Sequence, residues 1–247
     1  MKHLILLIIL CCSTILSAQT FEAHYHQKEG ITLPYLLLKP LNFDSSQAYP
    51  LLIFLHGAGE RGSDNKVAAK HFSSLVLADS NRINYPAFVI IPQCDTGYRW
   101  VEVDWKLDSH QIPAGPSLYM SLFLEVLDSL EQSPLIDKNR IYVSGLSMGG
   151  FGTWDLIARF PNRFAAAAPI CGGADLSTAS QIAHIPVWTF HGAKDRVVKP
   201  SRSREMVDAL NKINGNIKYT EYPEIGHDSW KAAYSEPNFL KWMFGWR

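Results

Sequence analysis

The sequence has no excess charge of either sign, because 23 lysines and arginines are cancelled by 23 aspartates and glutamates over 247 residues. With no net field and no basic stripe, nothing steers a polyanion to the chain, so nucleic acid is excluded as a partner. Cysteine is scarce: four in all, two of them at Cys11 and Cys12. That leaves Cys94 and Cys171, whose spacing forms no metal-ligand motif. Long apolar runs are missing as well. The longest, residues 4–12, is broken by Ser13, Thr14 and Ser17, short of the ~20 apolar residues that span a bilayer, so stable membrane insertion is not expected. Cys11 and Cys12 also lack the small preceding residue of a lipidation site.

The same N-terminal stretch reads as an export signal. Lys2 provides a short positive end, the apolar run follows, and small residues precede Gln19. Cleavage is expected after Ala18, giving a signal peptide over 1–18 and a secreted or periplasmic chain over 19–247.

What is present is a composition suited to one large buried core: 47% hydrophobic and 19% charged residues. "FEAHYHQ" and "ITLPYLLLKP" flank Lys28-Glu29-Gly30 as the arms of a β-hairpin. Apolar strand patterns follow at 51–55, 87–92, 141–144, 164–170, 186–190 and 217–222. Helical patterns lie between them at 65–79, 117–131, 148–159, 202–213 and 237–244. Strands that are apolar throughout and alternate with helices predict a single-domain α/β fold. Its sheet would be mainly parallel and twisted with helices on both faces, and the hairpin would add an antiparallel N-terminal edge. On that layout Cys94 and Cys171 follow strands three sheet steps apart, ~14 Å at ~4.8 Å per step. That is beyond disulfide reach, so two free thiols are expected.

Ligands of such sheets bind at the carboxyl ends of the strands. There "RIYVSGLSMGGFGTW" places Ser147 in a G-x-S-x-G pattern between a strand and a helix. The sharp turn needs small flanks, and the helix start aims N–H groups at developing negative charge. A glycine-rich helix start without catalytic use is the alternative for the motif alone. Support comes from "HGAKDRVV", which carries Asp195 after one strand, and "GHDSW", which carries His227 after another. The order Ser147, Asp195, His227 is that of an α/β-hydrolase triad: nucleophile, orienting acid and base. Asp228 is a poorer orienter because it adjoins His227. His56 and His191, each before a glycine at a strand end, read as structural. The expected oxyanion donors are the N–H groups of Met148 and Ala58, the latter in the glycine-rich "HGAGERG", with its neighbours Gly57 and Gly59 as alternatives for the second. Glu60 and Arg61 read as a local ion pair holding that loop, with substrate binding as the alternative.

"FLHGAGERG", "IIPQC…RW", "RIYVSGLSMGGFGTW", "PICGG", "HGAKDRVV" and "GHDSW" together resemble the α/β-hydrolase superfamily. More narrowly, they are similar to secreted bacterial feruloyl-esterase-like and prolyl-oligopeptidase-like proteins. The resemblance spans roughly residue 51 to the C-terminus. It implies a serine carboxylic-ester hydrolase with that triad, needing no metal or cofactor. The short 171–185 connection leaves no room for a helical cap domain, so an open site is expected. Such a site suits a small ester or an acyl group on a polysaccharide, with acetyl or feruloyl groups implied by the resemblance. Trp100 and Trp230 are candidate substrate-stacking residues, with packing that fixes a long loop as the other reading of each. Two other readings remain: a serine peptidase using the same triad, and a non-catalytic carbohydrate-binding scaffold.

Overall fold

The computed structural model describes residues 20–247; the expected signal peptide lies outside the described residues. The chain opens with β1 (Glu22–Lys28) and β2 (Ile31–Leu38), paired antiparallel with His24 opposite Tyr35. Glu29 and Gly30 make the turn with φ of 50° and 80°. Positive φ at both central residues matches the right-handed twist of the two arms, which is why a glycine stands there.

Next come β3 (Tyr49–Leu55), the short helices α1 (Ser73–Leu77) and α2 (Asp79–Asn84), and β4 (Phe88–Pro92). The chain continues through α3 (Leu118–Glu131), β5 (Ile136–Leu146), α4 (Met148–Arg159), β6 (Ala166–Ile170) and α5 (Ala179–Ile182). It ends with β7 (Val187–Gly192), α6 (Ser201–Lys212), β8 (Ile217–Tyr222), α7 (Trp230–Ala233) and α8 (Phe239–Met243). The strands form one eight-stranded sheet in the order β1-β2-β4-β3-β5-β6-β7-β8. Only the β1–β2 and β2–β4 pairings are antiparallel. The expected fold class is therefore the observed one.

Alternation along β3 shows how the two layers arise. Leu51, Ile53 and Leu55 enter one core with Phe123, Phe151 and Trp154, whereas Leu52 and Phe54 enter the other with Phe72, Trp188 and Phe239. Successive side chains of a strand point to opposite faces, so a strand covered on both sides must be apolar throughout. Each such side chain contributes about 1.5–3 kcal/mol of burial.

One predicted helix forms differently. Residues 65–79 carry only a single 3₁₀ turn (Val67–Ala69) and α1, with α2 beginning at Asp79. Asn65 adopts a positive φ of 54° instead of a helical start. Its side-chain amide donates to the His24 and Tyr35 carbonyls, and its N–H donates to Gln93 Oε1. Ala78 is extended and separates the two short helices. Helical periodicity lost to these longer-range hydrogen bonds. Cys94 and Cys171 are free and buried, as their strand positions implied.

The tightest packing lies where β5 turns into α4. A Cβ on Gly149 would sit 1.8 Å from the Leu55 carbonyl oxygen, and one on Gly145 would sit 2.3 Å from the Gly149 oxygen. Both obstacles are backbone atoms that cannot swing aside. Gly149→Ala is expected to destabilise the fold by at least about 3 kcal/mol. Gly115→Ala, where a Cβ meets open space, should change stability by less than about 1 kcal/mol. Urea unfolding of the two variants checks the contrast.

Candidate active site

Ser147 stands between β5 and α4 with φ 53° and ψ −116°, a conformation L-residues rarely adopt. Its backbone is held from both sides: its N–H donates to the Ile170 carbonyl at 2.9 Å, and its carbonyl accepts from Phe151 N–H at 3.0 Å. Strain of this kind persists only where the surroundings over-determine it. The result is a hydroxyl displayed at the carboxyl end of the sheet.

Ser147 Oγ lies 2.9 Å from His227 Nε2, and His227 Nδ1 lies 2.7 Å from Asp195 Oδ2. These three side chains come from separate loops, and the structure brings them into one hydrogen-bonded chain. With Nδ1–H donating to the carboxylate, Nε2 is free to accept from the serine hydroxyl. Asp195 Oδ1 accepts from the N–H groups of Val197 and Val198 at 2.8 and 3.0 Å. A further imidazole, His191, places Nε2 3.2 Å from Asp195 Oδ2. Burial opposes ionisation of this aspartate. Hydrogen bonds from His191, His227 and Val198 outweigh it and hold the carboxyl far below its ordinary range.

Asp228, the rejected orienter, is occupied by Lys231 at 2.7 Å. Met148 opens α4, so its N–H has no acceptor within the helix. Ala58 opens a 3₁₀ turn directly after β3. The contacts of Gly149 with Leu55 and His56 oxygens bring these two backbone segments together. His56 braces this loop, because its Nε2 accepts from Cys94 N–H at 2.9 Å while Nδ1 donates to the Gly57 carbonyl at 2.6 Å. Burial lowers its pKa to about 4 and keeps it neutral.

Two expectations need correction. Trp100 is fully buried, donates from Nε1 to the His56 carbonyl at 3.0 Å and meets the His56 ring edge-on. It has no face to offer a substrate; it fastens the long loop after β4. Glu60 and Arg61 do not pair with one another either. Glu60 Oε1 lies 3.2 Å from His71 Nε2, and Arg61 Nε donates to the Ala58 carbonyl at 2.9 Å. Both residues brace the loop, through different partners.

Trp230 remains at the site. Its ring meets His227 edge-on at 5.5 Å and His71 at 5.4 Å. On its other side it borders an open surface cleft lined also by Lys70, Ser74, Lys231 and Tyr234, with none of Ser147, Asp195 and His227 in its lining. The 171–185 connection holds only a 3₁₀ turn and the four-residue α5. Cys171, Asp195 and His227 each bring one potential ligand atom within 4.8 Å of the others. The carboxylate and imidazole already bind each other, and burial pushes the Cys171 thiol far up, so a neutral thiol stands beside a hydrogen-bonded pair.

A mainly parallel sheet with this serine turn and this histidine–aspartate pair at its carboxyl edge defines the α/β-hydrolase class. Within that class, the chain belongs to the phospholipase/carboxylesterase family, whose model matches residues 43–237. It is 27% identical to a bifunctional acetylxylan esterase/xylanase of Neocallimastix patriciarum, over 70% of this chain and 23% of that protein. It is also similar to a thermostable esterase of known structure, at TM-score 0.84 and 36% identity, covering 92% of this chain and 63% of that one. A ferulic acid esterase shares the fold at TM-score 0.68 and 17% identity, covering 92% of this chain and 99% of that one. The chain thus spans 23% of the first of these proteins and 63% of the second.

Stability should record the charge on Asp195. A carboxylate whose folded-state pKa lies below its unfolded value of 3.8 contributes stability that is complete above about pH 5. That contribution is lost as pH falls further. Asp195→Asn removes it, so the stability gap between wild type and this variant should narrow between about pH 5 and pH 3, as read by urea unfolding.

Proposed function

We propose that the protein is an exported serine carboxylic-ester hydrolase working through an acyl-enzyme. The observation that carries this reading is the hydrogen-bonded chain from Ser147 Oγ through His227 to Asp195, at 2.9 and 2.7 Å. Membership of a carboxylesterase family and likeness to an acetylxylan esterase support it.

In this mechanism His227 Nε2 takes the Ser147 proton as Oγ attacks the ester carbonyl carbon. The carbonyl oxygen becomes an oxyanion facing the N–H groups of Met148 and Ala58. The proton on His227 then passes to the leaving alkoxide, releasing the alcohol and leaving the acyl group on Oγ. A water repeats the cycle: His227 takes its proton, its oxygen attacks the acyl carbon, and the proton returns to Oγ as the acid departs. Asp195 orients the imidazole and stabilises its cation without itself taking the proton.

The short 171–185 connection, which carries no helical cap, supports an open site. It admits acyl groups carried on bulky or polymeric alcohols, such as acetyl or feruloyl esters of plant polysaccharide. Trp230, next to His227, supplies an aromatic face for such a group.

Ser147→Ala should lower the hydrolysis rate of an aryl acetate by at least about 10⁴-fold and abolish labelling by a fluorophosphonate. Assaying the same pair against methyl ferulate, acetylated xylan and peptide anilides tests the substrate class. Serine-dependent cleavage of anilides without ester turnover would replace this reading with the peptidase. Sugar binding unaffected by the substitution, with no turnover, would replace it with a binding scaffold. Trp230→Ala should raise KM for methyl ferulate by roughly 2- to 10-fold, and KM for methyl acetate by less.

A further inference from the structure

Asp195 lies between two imidazoles, and the second has no part in the mechanism above. His191, at the end of β7, is fully buried, as is Ser203 on α6. Its neighbours fix where its proton sits. Nε2 faces only acceptors, the Val198 carbonyl at 3.1 Å and Asp195 Oδ2 at 3.2 Å, so this nitrogen carries the hydrogen. Nδ1 lies 2.7 Å from Ser203 Oγ, a hydroxyl able to donate. This pattern satisfies a neutral ring with no cation required.

We propose that His191 is a positioning residue of the hydrolytic site. Its Nε2–H, shared between the Val198 carbonyl and Asp195 Oδ2, holds the carboxylate in the orientation that His227 requires and moderates its grip on that imidazole. The inference rests on the reading of Ser147, His227 and Asp195 as the hydrolytic triad. Two consequences follow from the geometry. Without the second donor, Asp195 loses one of the contacts that fix its rotamer, and His227 is held less well for proton transfer. An oxygen relieved of one donor also becomes a stronger acceptor for the other, so the His227 cation is favoured and persists to higher pH.

The surroundings isolate this effect. Beyond Asp195 and His227, the titratable groups near the pair are Cys171 from β6, Glu221 from β8 and Asp228 beside His227, whose carboxyl Lys231 holds below its ordinary range. Burial keeps the Cys171 thiol neutral. Glu221, the register partner of His191, is bound by Arg204 and Tyr219; Arg204 holds it down to about 2, so its charge is constant over the assay range.

The test compares His191→Gln with His191→Asn, alongside Ser147→Ala, in the ester assay. A glutamine amide reaches about as far as imidazole Nε2, whereas an asparagine amide stops near Nδ1 and keeps only the Ser203 side. The glutamine variant should stay within about 3-fold of wild-type kcat. The asparagine variant should lose roughly 10-fold in kcat with KM little changed. Its acid limb of kcat/KM should rise by about half a pH unit, because the neutral base is then harder to obtain. An asparagine variant with wild-type kcat and acid limb overturns the proposal, as does equal loss in both variants that tracks only the folded fraction. Failure of the triad reading looks different: Ser147→Ala then retains turnover, and the inference falls with it. If neither variant folds, the ring ¹⁵N shifts of His191 in the wild-type protein decide the matter. A neutral ring protonated at Nε2 supports the proposal, and one protonated at Nδ1 overturns it.

Discussion

The close approach of Gly149 to the carboxyl end of β3 is the contact on which the site depends. Only a residue without a side chain lets the first turn of α4 rest on the Leu55 carbonyl, where a Cβ would come within 1.8 Å. The other side of the same helix start is equally tight, since a Cβ on Gly150 would meet the Ile170 oxygen at 2.4 Å. Wedged between β3 and β6, the turn has one available path. Ser147 is forced into a positive φ along it. The cost of that strain is met by the two apolar layers packed against the sheet.

This wedge also explains why the groups proposed for ester hydrolysis come from so many strands. Holding the β5 turn against β3 brings the Ala58 loop beside Met148. Holding it against β6 sets Cys171 near Asp195 and His227. Parallel strands that end at one edge place their following loops in a common rim. Residues far apart in the chain thereby meet at one rim.

Asp195 is the electrostatic counterpart of that wedge. Its two oxygens face two backbone N–H groups and two imidazoles. A buried carboxylate is tolerable only when its lone pairs are matched by donors. The anion needs its donors, and the donors in turn fix its position. Around this centre the neutral His56 and the buried Trp100 tie the loops after β3 and β4 together.

Much of this was legible in the residues alone. The alternation of apolar strands with helices determined the layered parallel sheet, because covering both faces of a strand leaves it no polar positions. G-x-S-x-G at a strand-to-helix junction, followed by Asp195 and His227 after later strands, identified the hydrogen-bonded side chains, because each motif is local and its setting can be read from neighbours. The wrong reading of Trp100 and of Glu60 with Arg61 had a different source. Whether an aromatic in a long loop faces solvent or core, and which partner a charged side chain selects, depends on strands brought together from distant positions. The helix expected over 65–79 gave way for the same reason, since Asn65 bonds to the hairpin arms instead of its own neighbours. His191 belongs here too. Along the chain it is a histidine before a glycine; beside Asp195 it becomes a second donor only because the turn after β7 folds the carboxylate back over the strand end. The sequence by itself determined the fold class and the chemistry of each motif. The tertiary structure alone decided which side chains share a hydrogen bond, because that depends on distances across the sheet that no local pattern encodes.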